Sequence, residues 1–373
     1  MNAERLLDTF LDLVRIDSPS LAEANVAAYC KQALEQAGCV VRFDDTTSVT
    51  GSNTGNLIAT LPANPLPTTP PPKRYFSAHM DCVNPCEGIK PVIADGIIRS
   101  SGDTILSGDD RVGLAAIIEL IRTLAEEDRP HPEIGVLFSV GEEIGLRGAY
   151  ALDSNDFVGE PCFVLDANGS PGVVIIGAPF RYLFTARFTG KASHAGIEPE
   201  RGISAIALAS KAVLAMQLGR LDEYTTANVG TISGGSAFNV VPETCTVTGE
   251  FRAMDERRTG EVKAQLTAAF EGAVRDSGGS VEVDWDEEYP GFQIRENDPL
   301  VQLVLDEATA LGLPAQTVIT GGGSDANILA SKGLRALVLG TGMTDVHSTT
   351  ESLAITDLES LTRLCIALAT AWE

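Results

Sequence analysis

Two adjacent carboxylates stand in the stretch Gly141-Glu142-Glu143-Ile144-Gly145, directly after an apolar run. That run, Ile134 to Val140, predicts a fully buried strand. Carboxylates at the end of a buried strand are costly unless a positive charge offsets them. The chain has only four histidines, and few lysines or arginines lie close in sequence. We therefore expect a metal ion at this point, with further ligands elsewhere in the chain.

The composition excludes several classes of function. The chain has 373 residues, which is enough for two domains, and a formal net charge of −24. Such an acidic protein is a poor partner for nucleic acid or an anionic membrane. Its seven cysteines lack regular spacing, as is typical of a reducing compartment. The N-terminus lacks a signal-peptide pattern, and no apolar run reaches transmembrane length, so we expect a cytoplasmic protein.

Two arrangements of predicted strands and helices divide the chain. In its first and last parts strands alternate with helices, which predicts an α/β fold with a mostly parallel sheet. Between about Phe180 and Pro290 the order is β-α-β-β-α-β, typical of an antiparallel sheet with helices on one face. We predict a catalytic domain of residues 1–178 and 291–373, and an inserted α+β domain of residues 179–290. The proline-rich segment 62–72 is expected to be an exposed loop.

Candidate metal ligands follow several predicted strands. They are His79 with Asp81, Glu142 with Glu143, Asp166 and, a few residues after its strand, His347. In open α/β sheets, ligands bind outside the carboxyl ends of the strands, so these side chains are expected to meet at one rim. Imidazole and carboxylate are the usual non-sulfur ligands of zinc. The residue types therefore favour a zinc site.

The set contains more ligands than one ion needs. Two ions that share a bridging carboxylate would use them all, and such pairs activate water and polarise a carbonyl. Hydrolysis also needs a base for the proton of the water. In the Glu142-Glu143 pair one carboxylate can bind metal while the other stays free. Taken alone, Asp109 with Asp110 would more often be a helix cap, and Cys82 with Cys86 would be buried thiols rather than zinc ligands.

Together these motifs resemble those of the two-zinc exopeptidase and deacylase family. The family includes peptidase T, glutamate carboxypeptidase, succinyl-diaminopimelate desuccinylase and aminoacylase. The matching segments are Ala78–Asp81, Gly108–Gly113, Gly141–Gly145, Leu165–Asp166 and Val346–Ser348. Segment Thr320–Asn327, together with the Glu-Glu-Ile-Gly-Leu form of the central motif, is most similar to the peptidase T-like branch.

The resemblance implies a set of five metal ligands. His79 and Asp166 would hold one zinc and Glu143 and His347 the other, while Asp109 would bridge the two ions. Cobalt or manganese could replace zinc. In this family an aspartate at position 166 is typical of peptidases, whereas several deacylases carry glutamate, so the residue favours peptide substrates.

The resemblance also implies the catalytic residues. Glu142 would be the general base and would later pass its proton to the leaving amine. Asp81 would not bind the metal itself but would orient its ligand His79. The peptide bond between Asp109 and Asp110 is typically cis in such enzymes.

Four residues are expected to contact the substrate. His194, in Ala192–Gly196, resembles the lid histidine that helps to stabilise the oxyanion, in some members across a dimer. Asn239 and Arg252 match substrate-binding positions, and a lone arginine suits a bidentate grip on a terminal carboxylate. Arg252 could equally pair with an acidic residue of its own domain. Gly323 could offer its backbone N–H to the substrate.

The resemblance thus implies a cytoplasmic two-zinc aminopeptidase that releases the N-terminal residue of short peptides, with tripeptides as expected substrates. The inserted domain could act as a lid or form a homodimer. A carboxypeptidase or an N-acyl amino acid deacylase would share the same metal chemistry. A non-catalytic binding protein on the same fold is a further hypothesis, but a structural metal site has no need of a free base such as Glu142.

Overall fold

The computed structural model describes residues 1–64, 73–155 and 157–371. Most of the proline-rich segment predicted to be an exposed loop, residues 65–72, lies outside the described residues. The chain divides into two compact units. The first comprises Met1–Ile176, Ile294–Ile319 and Ser324–Glu373, and the second comprises Gly177–Gln293 and Thr320–Gly323. Among the described helices, none is both long and apolar enough to span a membrane.

The described residues form the following elements. The helices are α1 (Ala3–Val14), α2 (Ala24–Gln36), α3 (Thr47–Thr50), α4 (Gly108–Glu126), α5 (Arg147–Ala151), α6 (Ala205–Ala215), α7 (Glu256–Val274), α8 (Pro299–Ala310), α9 (Asp325–Ser331) and α10 (Ile355–Thr370). The strands are β1 (Val40–Phe43), β2 (Leu57–Leu61), β3 (Arg74–His79), β4 (Pro91–Ala94), β5 (Ile97–Ser100), β6 (Ile134–Ser139), β7 (Pro161–Ala167), β8 (Val173–Ala178), β9 (Phe180–Thr189), β10 (Gly219–Arg220), β11 (Thr226–Gly234), β12 (Thr244–Ala253), β13 (Ser280–Tyr289), β14 (Phe292–Gln293), β15 (Gln316–Ile319), β16 (Arg335–Gly340), β17 (Met343–Thr344) and β18 (Ser352–Ala354).

The main sheet has the strand order β1-β2-β6-β3-β7-β16-β8-β14, with β15 beside β8. The central strands β6, β3, β7 and β16 are parallel to one another, which confirms the predicted parallel sheet. Towards the edges, β1, β2 and β8 run antiparallel to their neighbours. A smaller antiparallel sheet has the order β17-β18-β5-β4. Strand β14 and the last two residues of β8 belong to the second unit.

Two of the four central strands are buried along their whole length. Every residue of β3 and of β6 is buried. A strand covered on both faces has no solvent side, and accordingly β6 is a nearly continuous apolar run rather than an alternation of apolar and polar residues. Helix α4 packs against β3, α1 and α10. Helix α1 buries Leu6, Phe10 and Leu13 on one face, and burial of each such side chain contributes about 1.5–3 kcal/mol.

The second unit has a five-stranded antiparallel sheet of order β10-β11-β12-β9-β13. Both of its α-helices, α6 and α7, contact each other and strands β9 and β12, so they share one face of the sheet. Phe184 and Phe188 of β9 pack there against Phe270 of α7. The predicted β-α-β-β-α-β order is confirmed, and the two-residue strand β10 is an addition that the sequence pattern did not predict.

Candidate metal centre

Three adjacent parallel strands bring the predicted ligands together. His79 is the last residue of β3 and lies opposite Ser139, the last residue of β6. Glu142 follows β6 after two residues, and Asp166 lies near the end of β7, on the other side of β3. Asp166 is inside its strand rather than just beyond it, because β7 continues to Ala167. The carboxyl ends of β6, β3 and β7 therefore form the rim that the sequence predicts.

The first group of ligand atoms surrounds His79, whose exposed fraction is only 2%. Its Nε2 atom lies 3.0 Å from Oδ1 of Asp109 and 3.9 Å from Oδ1 of Asp166. The other ring nitrogen, Nδ1, donates a hydrogen bond of 3.0 Å to the carbonyl oxygen of Asp81. Because Nδ1 carries the proton, the lone pair of Nε2 faces the two carboxylates, as a metal ligand requires.

The second group surrounds His347, whose side chain is 49% exposed. Its Nε2 atom lies 3.1 Å from Oε1 of Glu143 and 3.3 Å from Oδ2 of Asp109. The two oxygens of Asp109 therefore face different histidines, Oδ1 towards His79 and Oδ2 towards His347. Asp109 does not act as a simple helix cap. Its peptide bond to Asp110 is cis, as the resemblance predicts.

The general-base candidate lies beside both groups. Ligand atoms of His79, Glu142 and Glu143 lie within 4.8 Å of one another, and so do those of each of the two groups above. Cys82 and Cys86 are buried free thiols, and the groups of possible metal ligands found among the described residues do not include them. The donor atoms of this centre are therefore nitrogen and oxygen.

The centre holds an excess of negative charge. Burial, and then the neighbouring Asp109 carboxylate, raise the pKa of Asp166 well above its ordinary value. Burial and the Asp166 carboxylate do the same to the pKa of Glu142. Closely spaced buried carboxylates need a compensating cation. Imidazole nitrogens among carboxylate oxygens fit a divalent transition-metal ion such as zinc. The residues present therefore fit the metal that the sequence implies.

Asp81 has a wider role than the sequence indicates. Its carboxylate lies 3.5 Å from Nδ1 of His79, so the shorter contact of the ring is to the Asp81 backbone carbonyl. The carboxylate accepts hydrogen bonds from the backbone N–H groups of Glu142 at 3.0 Å and Glu143 at 3.3 Å, and from the hydroxyl of Ser20 at 2.6 Å. Burial raises the pKa of Asp81, but His79, the hydroxyl of Ser20 and the N–H of Glu142 outweigh burial and lower the pKa. Asp81 thus supports both the histidine and the Glu142-Glu143 backbone.

Two further buried carboxylates support the centre, and the sequence reasoning missed both. Glu23 is fully buried and accepts the backbone N–H of Gly141 at 3.0 Å, directly before Glu142. Glu351 is 1% exposed and accepts the backbone N–H of Asp109 at 3.0 Å. The available sequence signal for Glu351 is its place four residues after His347. Neither residue stands in a pattern that would distinguish it from a surface glutamate.

The second unit brings together two of the four predicted substrate-binding residues. The N–H of Ala195, next to His194, donates a hydrogen bond of 2.9 Å to the carbonyl oxygen of Asn239. His194 itself forms an isolated antiparallel bridge with Val240. Both His194 and Asn239 are exposed. Their two loops therefore present neighbouring polar side chains to solvent.

Arg252 already has partners within its unit. Its Nε donates to Oε1 of Glu250 at 3.2 Å, and one terminal nitrogen donates to the carbonyl oxygen of Gly321 at 2.7 Å. The contact with Glu250 agrees with the alternative given from the sequence, in which Arg252 pairs with an acidic residue of its own domain. Gly323 lies against Tyr289, and a Cβ atom at this position would come within 2.3 Å of the tyrosine ring. The substrate-binding roles of Arg252 and Gly323 stay predictions.

Comparison with known proteins identifies the family. The peptidase dimerisation domain of the M20 family matches residues 183–277, and the M42 glutamyl aminopeptidase family matches residues 92–168. The uncharacterized protein YqjE of Bacillus subtilis is 39% identical over 99% of this chain and 98% of its own length.

Two solved structures are similar over almost the whole chain. A tripeptidase from Staphylococcus aureus is 37% identical with a TM-score of 0.94, and covers 99% of this chain and 98% of its own. Aminopeptidase PepT from Bacillus cereus is 38% identical with a TM-score of 0.92 and the same coverage. The chain therefore belongs to the peptidase T-like branch of the M20 metallopeptidases, and is a metal-dependent peptidase.

Proposed function

We propose that the protein is a two-zinc aminopeptidase that removes the N-terminal residue from tripeptides. The observation that carries the proposal is the position of Asp109, whose two carboxylate oxygens lie 3.0 and 3.3 Å from two different histidines. A carboxylate in this position can bridge two ions. The similar solved structures are named as a tripeptidase and an aminopeptidase, which supports the choice of substrate.

Each ion would have its own ligands in addition to Asp109. His79 and Asp166 would hold one zinc, and Glu143 and His347 the other, with cobalt or manganese as possible replacements. When bound, the zinc pair would make a water molecule more acidic and polarise the carbonyl group of the scissile bond.

The protein's own residues would move the proton. Glu142 takes the proton from the attacking water and gives it to the amine of the leaving dipeptide. Its backbone is held by Asp81 and that of the preceding residue by Glu23, so the carboxylate stays beside the metal ligands. Its side chain is free for this task because Glu143, the next residue, supplies the carboxylate that faces His347.

The inserted domain would bind the substrate. We propose that residues 1–178 and 291–373 form the catalytic domain and residues 179–290 a lid. His194 would donate a hydrogen bond to the developing oxyanion, while Asn239, Arg252 and Gly323 would hold the peptide backbone and its terminal carboxylate. The match to a dimerisation domain supports a homodimer through this domain. The seven free cysteines favour a reducing compartment such as the cytoplasm.

A tripeptide of three different residues tests the proposal. Mass spectrometry of the products should show the first residue and the dipeptide of the second and third. Release of the third residue would instead identify a carboxypeptidase. The N-acetylated form of the same tripeptide should be a much poorer substrate, and a preference for it would identify a deacylase. A chelator should abolish turnover and added zinc should restore it, whereas activity in metal-free protein would refute the mechanism.

A further inference from the structure

Glu351 binds the backbone that carries the bridging carboxylate. Its Oε2 atom accepts the N–H groups of Leu106 at 2.8 Å and Ser107 at 2.9 Å, and its Oε1 atom accepts that of Asp109 at 3.0 Å. The Glu351 side chain comes from the loop between β17 and β18, more than 200 residues later in the chain. One carboxylate therefore satisfies three backbone donors of a single short segment.

This segment depends on an outside acceptor. Ser107 has a positive φ of 58°, and Asp109 has φ −78° and ψ 104°, so the backbone here is not helical although α4 begins at Gly108. Residues 106, 107 and 109 are all buried. A buried N–H group without an acceptor costs about 1–3 kcal/mol. Glu351 provides an acceptor for all three N–H groups and so stabilises the backbone conformation in which the Asp109 side chain reaches the proposed metal site.

The same glutamate belongs to the loop that carries the second histidine. His347 lies four residues before Glu351, at a positive φ of 62°. Within the loop, the N–H of Glu351 donates to the carbonyl oxygen of Ser348 at 3.1 Å. His347 therefore lies at one end of this short turn. At the other end, Glu351 accepts hydrogen bonds from the backbone of the segment that carries Asp109.

The geometry points to Glu351 as a positioning residue that sets the separation between Asp109 and His347, so that both reach the same metal ion. This inference rests on the metal-binding roles proposed above. Outer partners of metal ligands orient those ligands, and their loss typically weakens metal binding about 10–100-fold. Glu351 acts on the backbone of one ligand and the loop of another, so its loss should affect the ion that those two ligands share.

The geometry also explains why glutamate and a neighbouring glycine are required. Glutamine has the same shape, but its amide group replaces one accepting oxygen by a donor. At least one of the three backbone N–H groups would then face another N–H. On the opposite side, a Cβ atom at Gly108 would come within 3.0 Å of Oε1 of Glu351. Gly108→Ala should therefore displace the same carboxylate without removing it.

Glu351→Gln in the full chain tests the inference, with Glu119→Gln as the matched control. Glu119 is also fully buried and accepts hydrogen bonds from Arg5 and the N–H of Asn2. Its substitution by glutamine therefore also disturbs a buried carboxylate, but between α1 and α4 rather than beside the proposed metal ligands. Zinc affinity is measured by competition with a chromophoric chelator, the free energy of unfolding by denaturation of metal-free protein, and kcat and KM on a tripeptide.

Both variants are expected to lose stability, but only Glu351→Gln should bind one of its zinc ions at least about 10-fold more weakly. Its kcat should fall at limiting zinc, with KM little changed, and excess zinc should restore part of the loss. Gly108→Ala should weaken the binding of the same zinc ion. Wild-type zinc affinity in Glu351→Gln would overturn the inference and leave Glu351 with a purely structural role.

Two further outcomes are decisive. If Glu351→Gln does not fold, Glu351→Asp keeps the carboxylate on a shorter chain; it should show an intermediate zinc affinity, and wild-type affinity would contradict the inference. If the wild-type protein cleaves no tripeptide while Glu351→Gln still loses zinc, the proposed substrate is wrong but the positioning role stands.

Discussion

The two histidines of the candidate metal centre have opposite surroundings. His79 ends a central strand, is 2% exposed and has its Nδ1 proton bound to a backbone carbonyl. His347 lies on a loop between two short strands, and its side chain is 49% exposed. The sheet itself positions the first proposed ligand, whereas the second lies on a loop whose Glu351 accepts hydrogen bonds from the backbone segment of Asp109. One histidine beside Asp109 therefore belongs to a buried strand, and the other to a partly exposed loop.

The difference in exposure between the two histidines would affect the ions that they are proposed to hold. An ion held by His79 and Asp166 would lie at the ends of β3 and β7, between side chains that are only 2% and 11% exposed. An ion held by His347 and Glu143 would lie next to solvent. Ligands on regular elements keep their geometry more accurately than ligands on loops. We therefore expect the two proposed ions to differ in how readily they leave.

The largest expected effect comes from Glu142→Gln. It tests whether the groups around His79 and His347 take part in one reaction that depends on the same base. The variant should lose turnover by about 10²–10⁴-fold because the proposed general base is gone. Both ions should stay bound, since Glu142 is not one of the proposed ligands. Turnover and zinc content are measured on the same preparation. Activity close to wild type would mean that the base is wrongly assigned, and loss of zinc would mean that Glu142 is a ligand.

Substitution of one histidine at a time tests whether the two proposed ions are held differently. His347→Ala should lose the outer ion and keep the inner one. His79→Ala should lose both, because Asp109 and Asp166 would stay buried without the nitrogen that orients the inner ion, and the bridge would lose its inner partner. Zinc per chain is measured after dialysis. Equal losses in the two variants would show that the two sides are equivalent.

Chelation of the wild-type protein should show the same asymmetry without a substitution. A chelator should remove the outer ion first, because His347 is half exposed, and the inner ion only at higher concentration or longer time. Zinc release is followed with a chromophoric chelator and compared with the loss of activity. A single phase that releases both ions together would contradict the difference between the two sides.

The smallest effect concerns stability on the inner side. Asp325 is buried and accepts a hydrogen bond from Ser139, the residue paired with His79. Burial raises the pKa of Asp325 to about 6. Because its unfolded pKa is about 3.9, the folded state binds more protons between these values, so stability falls as pH rises from about 4 to 6.

Asp325→Asn should remove this dependence. In metal-free protein, the variant should gain on the order of 1–3 kcal/mol over wild type at about pH 7.5, and less at about pH 4.5. Chemical denaturation at the two pH values measures the difference. Asp306→Asn, at an exposed position of α8, is the matched control and should change little. An equal effect of Asp325→Asn at both pH values would contradict the assigned titration.

The parallel sheet and its rim were predictable because their signals are local. Runs of sheet-forming residues that lead to His79, Glu142 and Asp166 indicate both where the strands lie and the end at which these side chains follow them. The antiparallel edge strands and the small sheet of β4, β5, β17 and β18 were not predicted. Their pairing joins distant segments, and a short strand has little period to detect.

The supporting carboxylates were not predictable for a related reason. Glu23, Glu351 and the hydroxyl of Ser20 act on backbone N–H groups or on a carboxylate far away in sequence. Every non-proline residue has the same backbone N–H group, so the residue type at the donor position does not indicate which carboxylate it will contact. For Arg252 the sequence left two partners open, and the structure places the guanidinium on Glu250 and Gly321.

The sequence by itself determined which strands are buried and which ligand types follow them, because burial and charge act residue by residue. Beside the Gly141–Gly145 stretch, those patterns were sufficient to predict a metal centre and a free base. Only the tertiary structure decided which oxygen of Asp109 faces which histidine, and which carboxylates hold the backbone instead of the metal. Those choices depend on distances of about 3 Å between segments that only folding brings together.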